Sequence, residues 1–150
     1  MNTTLVLYQK MQSEDYTAVI QTAVRECDVK SEDRAAELLD AFLQWFALIP
    51  LTKDAEPLQM LRSVDRIWHA FVLNTAFYRN FCDKYIGHFV DHDPLDVVNS
   101  IAAKDVYAQH TIALIENAYG AKANIELFRL REDVTCCCGC IEAEPLRLAA

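Results

Sequence analysis

A wide apolar stripe between Ser31 and Pro50 is the feature that most constrains the fold of this chain. Apolar residues recur there at the 3.6-residue period of an α-helix, at Ala35, Leu38, Leu39, Phe42, Leu43, Trp45, Phe46 and Ile49. Ser31 with Glu32 and Asp33 is typical of a helix start, because a hydroxyl satisfies a free amide and carboxylates suit the helix dipole. Pro50 ends the pattern. The sequence therefore predicts a central core helix.

Composition favours helices elsewhere too. The 150 residues are 53% hydrophobic and include only three glycines, which leaves few positions for tight β-turns. Four further helical patterns are present. One begins at Ser13, two short ones lie between residues 64 and 86, and one extends from Asp96 to Tyr119. The predicted fold is therefore all-α, a single-domain helical bundle.

Two segments near the C-terminus depart from this pattern. Residues 125–130 suit a short strand or irregular segment as well as a helix. We expect the helical domain to cover 1–134 and a flexible, cysteine-rich tail to cover 135–150.

The charge balance argues against nucleic acid as a partner. The chain has 22 acidic and 14 basic residues, a formal net charge of −8, and its cations are scattered among carboxylates. No apolar run reaches the roughly 18 residues that a membrane span needs, and the N-terminal sequence MNTTLVLYQK lacks the features of a signal peptide. We therefore expect a cytoplasmic protein without nucleic-acid or membrane partners. A partner protein and the oligomeric state stay open.

Two short helices and a loop between Val64 and Pro94 carry the polar residues of most interest. In the first helix, apolar residues fall at i, i+3, i+4 and i+7, namely Val64, Ile67, Trp68 and Phe71. Asp65 and His69 lie one turn apart beside this face. The aspartate can therefore accept the ring N–H of the histidine and fix its tautomer.

The second helix brings a thiol toward the same region. Asn74 offers a helix cap, the apolar face includes Cys82, and Gly87 suits the helix end. The loop that follows, HFVDHDP, carries His92. A helix-turn-helix-loop of this length can bring His69, Cys82 and His92 together.

These residues predict a site for a zinc-class ion. Zinc suits mixed nitrogen and sulfur ligands, which His69, Cys82 and His92 would supply. Asp65 would either hold His69 in place or be the fourth ligand. The alternative involves no metal: Asp65 and His69 form a hydrogen bond, and Cys82 packs as a small apolar side chain. His92 would then be an ordinary loop residue.

Other function classes stay open. A dyad of Cys82 with His69 or His92 would suit a thiol hydrolase, but an apolar helix face disfavours the thiolate that this chemistry requires. An acidic helical domain can also act as an interaction or scaffold module in which the Trp-His motif is purely structural. The sequence contains no Gly-rich phosphate loop, nucleophile elbow or HExxH motif. Catalytic residues therefore stay unassigned.

The tail sequence TCCCGC offers thiols but an incomplete metal site. Cys137-x-x-Cys140 is half of a sulfur site, and completing it would need Cys27, Cys82 or a second chain. The alternative is a flexible tail whose exposed thiols oxidise.

The region from Val64 to Pro94 also resembles the glycine-rich domain-containing protein-like family of bacteria and plants. The resemblance lies in VDRIWH, LNTAFYRNFC, IG and DHDP at their spacings, with matching positions Asp65, Trp68, His69, Tyr78, Cys82, Gly87, His92 and Pro94. The later ENAYG resembles an aromatic-glycine element of that family. Phe71 stands where a second histidine often follows, and the glycine-rich tail is absent. A site built on that second histidine would lack a ligand here. The resemblance supports the metal-ligand set above, and because the role of that family is largely unassigned, it indicates no particular activity.

The predicted burial of Trp68 has a measurable consequence. Replacing Trp68 with alanine should lower the free energy of unfolding by about 3–5 kcal/mol, the usual cost of losing a large aromatic side chain from a core. Urea denaturation measures this difference. An unchanged stability would place Trp68 on the surface.

Overall fold

The structure is a computed structural model that describes residues 2–52, 58, 62–92 and 101–124. These residues form six α-helices: α1 (Thr3–Met11), α2 (Thr17–Glu26), α3 (Glu32–Phe46), α4 (Arg62–Leu73), α5 (Thr75–Tyr85) and α6 (Ile101–Tyr119). Single 3-10 turns cover Ile49–Leu51 and Gly120–Lys122. The described ranges contain no strand, so the all-α prediction is confirmed. The segment 125–130 and the tail lie outside them.

Helix α3 packs against α1, α2, α4 and α6, and helix α4 packs against α2, α3 and α5. The buried apolar residues of α4 are Val64, Ile67, Trp68, Ala70 and Phe71. On the α3 side, the ring of Phe42 lies 4.9 Å from that of Phe71 and 6.1 Å from that of Trp68, between centroids. Helices α1 and α6 pack against each other and against α3. The stripe predicted for α3 therefore does form the core. Among the helices that the structure describes, none combines the length and apolar character needed to cross a membrane.

Helix α3 begins as predicted and ends early. The Ser31 hydroxyl accepts a hydrogen bond from the Arg34 N–H at 3.1 Å, which confirms the cap. The helix ends at Phe46, and the chain then tightens into the 3-10 turn that contains Pro50. A proline ring clashes with the carbonyl four residues earlier, here that of Phe46, so an α-helix through Ile49 is disfavoured.

The N-terminal region differs from the prediction of a helix starting at Ser13. The Ser13 hydroxyl instead donates to the Lys10 carbonyl at the end of α1, a helix that the sequence patterns did not reveal. Helix α2 begins at Thr17, whose N–H donates to the Asp15 carboxylate at 3.0 Å. The side chain that accepts a hydrogen bond from the first residue of α2 is therefore that of Asp15 and not that of Ser13. The helix begins four residues after the predicted start.

The turn between α2 and α3 contains a residue in a left-handed conformation. Asp28 has φ +58°, and the Val29 N–H donates to the Ala23 carbonyl at 3.2 Å. This is the hydrogen-bond pattern of a helix C-terminus that usually places glycine at the left-handed position, where aspartate is also tolerated. The Asp28 carbonyl accepts from Arg66 Nη1 at 3.1 Å, which joins the turn to α4.

A buried glutamine ties the end of α6 to the core helix. The Gln44 side chain donates to the Lys122 carbonyl at 2.8 Å and accepts from the Asn124 N–H at 2.9 Å. Its backbone carbonyl accepts from the Tyr119 hydroxyl at 2.7 Å. A fully buried amide is therefore satisfied on both of its sides.

Replacing Gln44 with methionine preserves the volume and removes both side-chain hydrogen bonds. The free energy of unfolding should fall by about 1–3 kcal/mol, because the Lys122 carbonyl and the Asn124 N–H lose their partners. Urea denaturation measures the change. Gln9→Met, at an exposed position of α1, is the matched control and should change stability by less than about 0.5 kcal/mol. Equal losses in the two variants would contradict the assigned role.

Candidate metal site

Helix α4 carries two polar residues of the candidate site beside its apolar face. Asp65 is only 2% exposed, because the apolar stripe that buries Val64 and Ile67 carries it inward. His69 follows one turn later and stays partly exposed. Its Nε2 lies 3.4 Å from Asp65 Oδ2, so these two side chains meet as the spacing predicted.

The loop after α5 brings His92 to the same place. Gly87 has φ +95°, a conformation that favours glycine, and its N–H donates to the Cys82 carbonyl at the helix end. The chain then returns to α4, where the His92 ring stacks on two rings. Its centroid lies 4.1 Å from that of Trp68 and 4.6 Å from that of His69, with planes within 13°.

A chain of hydrogen bonds anchors this loop to α4. Trp68 Nε1 donates to the Tyr78 hydroxyl at 3.0 Å, and that hydroxyl donates to the Val90 carbonyl at 2.5 Å. Trp68 and Tyr78 are both buried. The chain therefore fixes the backbone two residues before His92 and, with the ring stacking, determines where that imidazole lies.

The contact between His92 and the buried carboxylate is close but poorly aligned for a hydrogen bond. His92 Nε2 lies 2.9 Å from Asp65 Oδ1. Both ring nitrogens of His92 are nevertheless shielded from solvent without a hydrogen-bond partner in the described part of the chain. A hydrogen bond needs a short distance and a suitable orientation, and this contact meets only the first of these conditions. The carboxylate and the imidazole face each other without a properly directed N–H.

Burial favours the neutral form of the histidine on α4. It lowers the pKa of His69 below its usual value; the Asp65 charge opposes this shift and His92 adds to it. A neutral imidazole is the form that binds a metal ion.

Asp65, His69 and His92 form a compact group of donors. One ligand atom from each lies within 4.8 Å of the others. Two imidazole nitrogens and a carboxylate suit zinc and related divalent ions of the first transition row. Three of the four residues predicted for the site therefore come together.

Cys82 is not part of that group. It is fully buried on α5, and its thiol interacts with the Tyr78 hydroxyl and the backbone of Val90. Burial raises the pKa of the thiol, so the thiolate that a metal or a nucleophilic mechanism requires is disfavoured. Cys82 therefore lies beside the Tyr78 hydroxyl and Val90, which form the hydrogen bond that anchors the loop.

Two further histidines lie outside this group of donors. His88 is exposed, and His110 is partly buried on α6. Asn74 precedes α5 but makes no side-chain cap; its amide donates to the Thr22 hydroxyl and the Ala70 carbonyl instead. The cysteines of the tail lie outside the described residues. The sequence motif included Tyr78 but did not predict that its hydroxyl joins Trp68 to the Val90 carbonyl. The only signal for this role was a tyrosine on an apolar helix face.

The chain belongs to the UCP032817-like family, whose sequence model matches residues 8–122. Neither the curated proteins nor the solved structures include a match to this chain. The description of this family names no activity.

The resemblance to the glycine-rich domain-containing protein-like family was wrong, because the family that matches is a different one. The motif behind that resemblance falls on α4, α5 and the following loop. Spacings of this kind follow from helical periodicity, a cap and a glycine at a helix end. They therefore describe a helical hairpin and do not identify a family.

Replacing Tyr78 with phenylalanine tests the loop anchor. The Trp68 N–H and the Val90 carbonyl would lose their shared partner, so the free energy of unfolding should fall by about 1–3 kcal/mol. Chemical denaturation measures the loss. Tyr85→Phe is the matched control on the same helix: its hydroxyl bonds the Glu14 carboxylate nearer the surface, and we expect a smaller loss. A loss at Tyr78 no greater than that at Tyr85 would contradict the anchoring role.

Proposed function

We propose that this protein binds a zinc-class divalent metal ion through Asp65, His69 and His92. The ligands would be one carboxylate and two neutral imidazoles. In this proposal Cys82 supports the loop and is not a ligand, unlike in the set predicted from the sequence.

The unaligned contact at His92 carries the proposal. Two ligands about 2.0–2.1 Å from one ion, at angles of about 90–110°, are separated by about 2.9–3.4 Å. Asp65 oxygens lie 2.9 Å from His92 Nε2 and 3.4 Å from His69 Nε2. Buried nitrogens without hydrogen bonds also need an explanation in a folded protein. A shared ion would account for both observations, since the nitrogen lone pair would point at the ion and not at the oxygen.

The number of ligands bears on what the ion would do. A zinc ion with three protein ligands keeps a position for water or substrate and can act as a Lewis acid. The His69 side chain is 23% exposed, so the group is accessible from one side. We assign metal binding to these residues and assign no reaction.

Metal binding is tested on full-length protein purified without added metal and then stripped with a chelator. Calorimetric titration with zinc should give one site per chain. Titration with cobalt(II) should give visible absorption bands, which report the geometry around the ion. A protein that binds neither ion would overturn the proposal and favour a purely structural cluster.

Matched variants locate the ligands. Asp65→Asn and His69→Gln should each weaken zinc affinity by more than about 100-fold, since the loss of outer partners alone costs about 10–100-fold. His88→Gln removes an exposed histidine and should leave the affinity unchanged. Circular dichroism of each variant confirms that it folds.

Cys82→Ser distinguishes the two ligand sets. We expect the variant to bind zinc with the same stoichiometry as the native protein. The cobalt form of the native protein should show no sulfur-to-cobalt charge-transfer band, so the substitution should not change its spectrum in that region. A sulfur-to-cobalt band that Cys82→Ser abolishes would restore the thiol to the ligand set and overturn the three-residue site.

A further inference from the structure

A separate cleft of about 440 Å³ lies where the turn between α2 and α3 meets the first turn of α4. The residues that line it include Lys30, Ser31, Arg34, Ser63 and Arg66. Its volume falls in the range of small-ligand pockets, about 300–1,000 Å³. None of the three proposed metal ligands lines it.

Positive side chains dominate this cleft although the chain as a whole is acidic. Among the residues that the structure describes, Lys30, Arg34 and Arg66 line it, against one carboxylate, that of the exposed Asp28. Arg66 Nη1 donates to the Asp28 carbonyl, and this hydrogen bond holds the side chain in place. The guanidinium has further N–H groups that can donate to another acceptor. Arg34 pairs with the exposed Glu37, a surface contact that contributes little. The local charge therefore favours an anion.

A buried hydroxyl in the cleft lacks a partner. Ser63 is only 3% exposed, and its Oγ makes no hydrogen bond within the part of the chain that the structure describes. A buried hydroxyl without a hydrogen bond costs free energy, so such groups are rare in folded proteins. Rotation of the Ser63 side chain would let its Oγ donate to an acceptor in the cleft, which Ser63 lines.

Two helix N-termini meet at the same place. Ser31 caps the 15-residue helix α3, and Ser63 lies in the first turn of the 12-residue helix α4. The first amides of a helix lack partners within it, and the helix dipole places partial positive charge there. Anions bind readily at such positions.

From the cations, the unpartnered Ser63 hydroxyl and the two helix ends together, we infer that this cleft binds a phosphate group. Arginine matches phosphate geometry with paired N–H donors, and lysine adds a point charge. The phosphate is either free inorganic phosphate or part of a small phosphate ester. In the second case, the organic part would have room beside the buried Leu38 side chain, which also lines the cleft.

Backbone amide NMR of the full-length protein tests this inference. Inorganic phosphate and glycerol phosphate are titrated separately at constant ionic strength, with a chelator present so that no ion at Asp65 contributes. We expect saturable shifts centred on residues 28–34 and 63–66, with a Kd of about 1 mM or below, an affinity typical of weak small-ligand binding. Tighter binding of glycerol phosphate assigns an ester, whereas equal or tighter binding of phosphate assigns the free ion.

Arginine variants test the location of the site. Arg66→Gln and Arg34→Gln should each weaken phosphate binding at least about tenfold, as the loss of a charged hydrogen bond does. Arg79→Gln removes an exposed arginine from α5 and should leave binding unchanged. Absence of saturable shifts, equal effects of all three variants, or equal binding of acetate would overturn the inference.

Ser63→Ala separates a binding role from a structural one. Because the hydroxyl has no partner, its loss should leave the unliganded protein at least as stable as before and still weaken phosphate binding. A variant that is destabilised without phosphate, or that binds phosphate as the native protein does, would show that Ser63 is not a ligand donor. These outcomes are independent of zinc binding at Asp65.

Discussion

The burial of α4 against both α2 and α3 is the constraint on which the rest of the structure depends. A helix in contact with two others presents apolar residues over a wide arc, and its polar residues at the edges of that arc become buried as well. Asp65 and Ser63 are 2% and 3% exposed for this reason. Hydrophobic packing thus removes a carboxylate and a hydroxyl from water. Each of the two proposed sites includes one of these buried polar groups.

Trp68 connects the core to the loop that carries His92. Its ring centroid lies 5.0 Å from that of Trp45 in the core helix and 4.1 Å from that of His92. Its N–H also reaches the Tyr78 hydroxyl, so stacking and hydrogen bonding act on the same side chain. A loop histidine therefore gains a position defined by packed aromatic rings, which is the kind of support that a ligand site needs.

Local patterns in the sequence predicted the all-α fold, the Ser31 cap and the meeting of Asp65 with His69, because each depends on residues within one helical turn. Helix α1, capped by Asn2, was missed because its apolar residues form only a weak stripe. The helical pattern of α2 was recognised, but its start was placed at Ser13, whereas the helix begins at Thr17, whose N–H donates to Asp15. The sequence placed Cys82 on the apolar face of α5, but neither its separation from the group of Asp65, His69 and His92 nor the lack of a partner for Ser63 Oγ among the described residues could be predicted. Both depend on how distant segments pack, which sequence spacing does not encode.

The hydrogen bond from Tyr78 ends on a backbone carbonyl, that of Val90, and every residue type supplies such an acceptor. The hydrogen bond itself therefore does not depend on the side chain at position 90, although Val90 packs against the core and the Phe89 ring lies 5.3 Å from that of Tyr78, between centroids. The number of residues between Cys82 and His92 is not free, because one insertion would shift His92 away from the Trp68 ring. Sequence alignments of relatives should therefore show a loop of fixed length, with glycine kept at position 87, where φ is +95°.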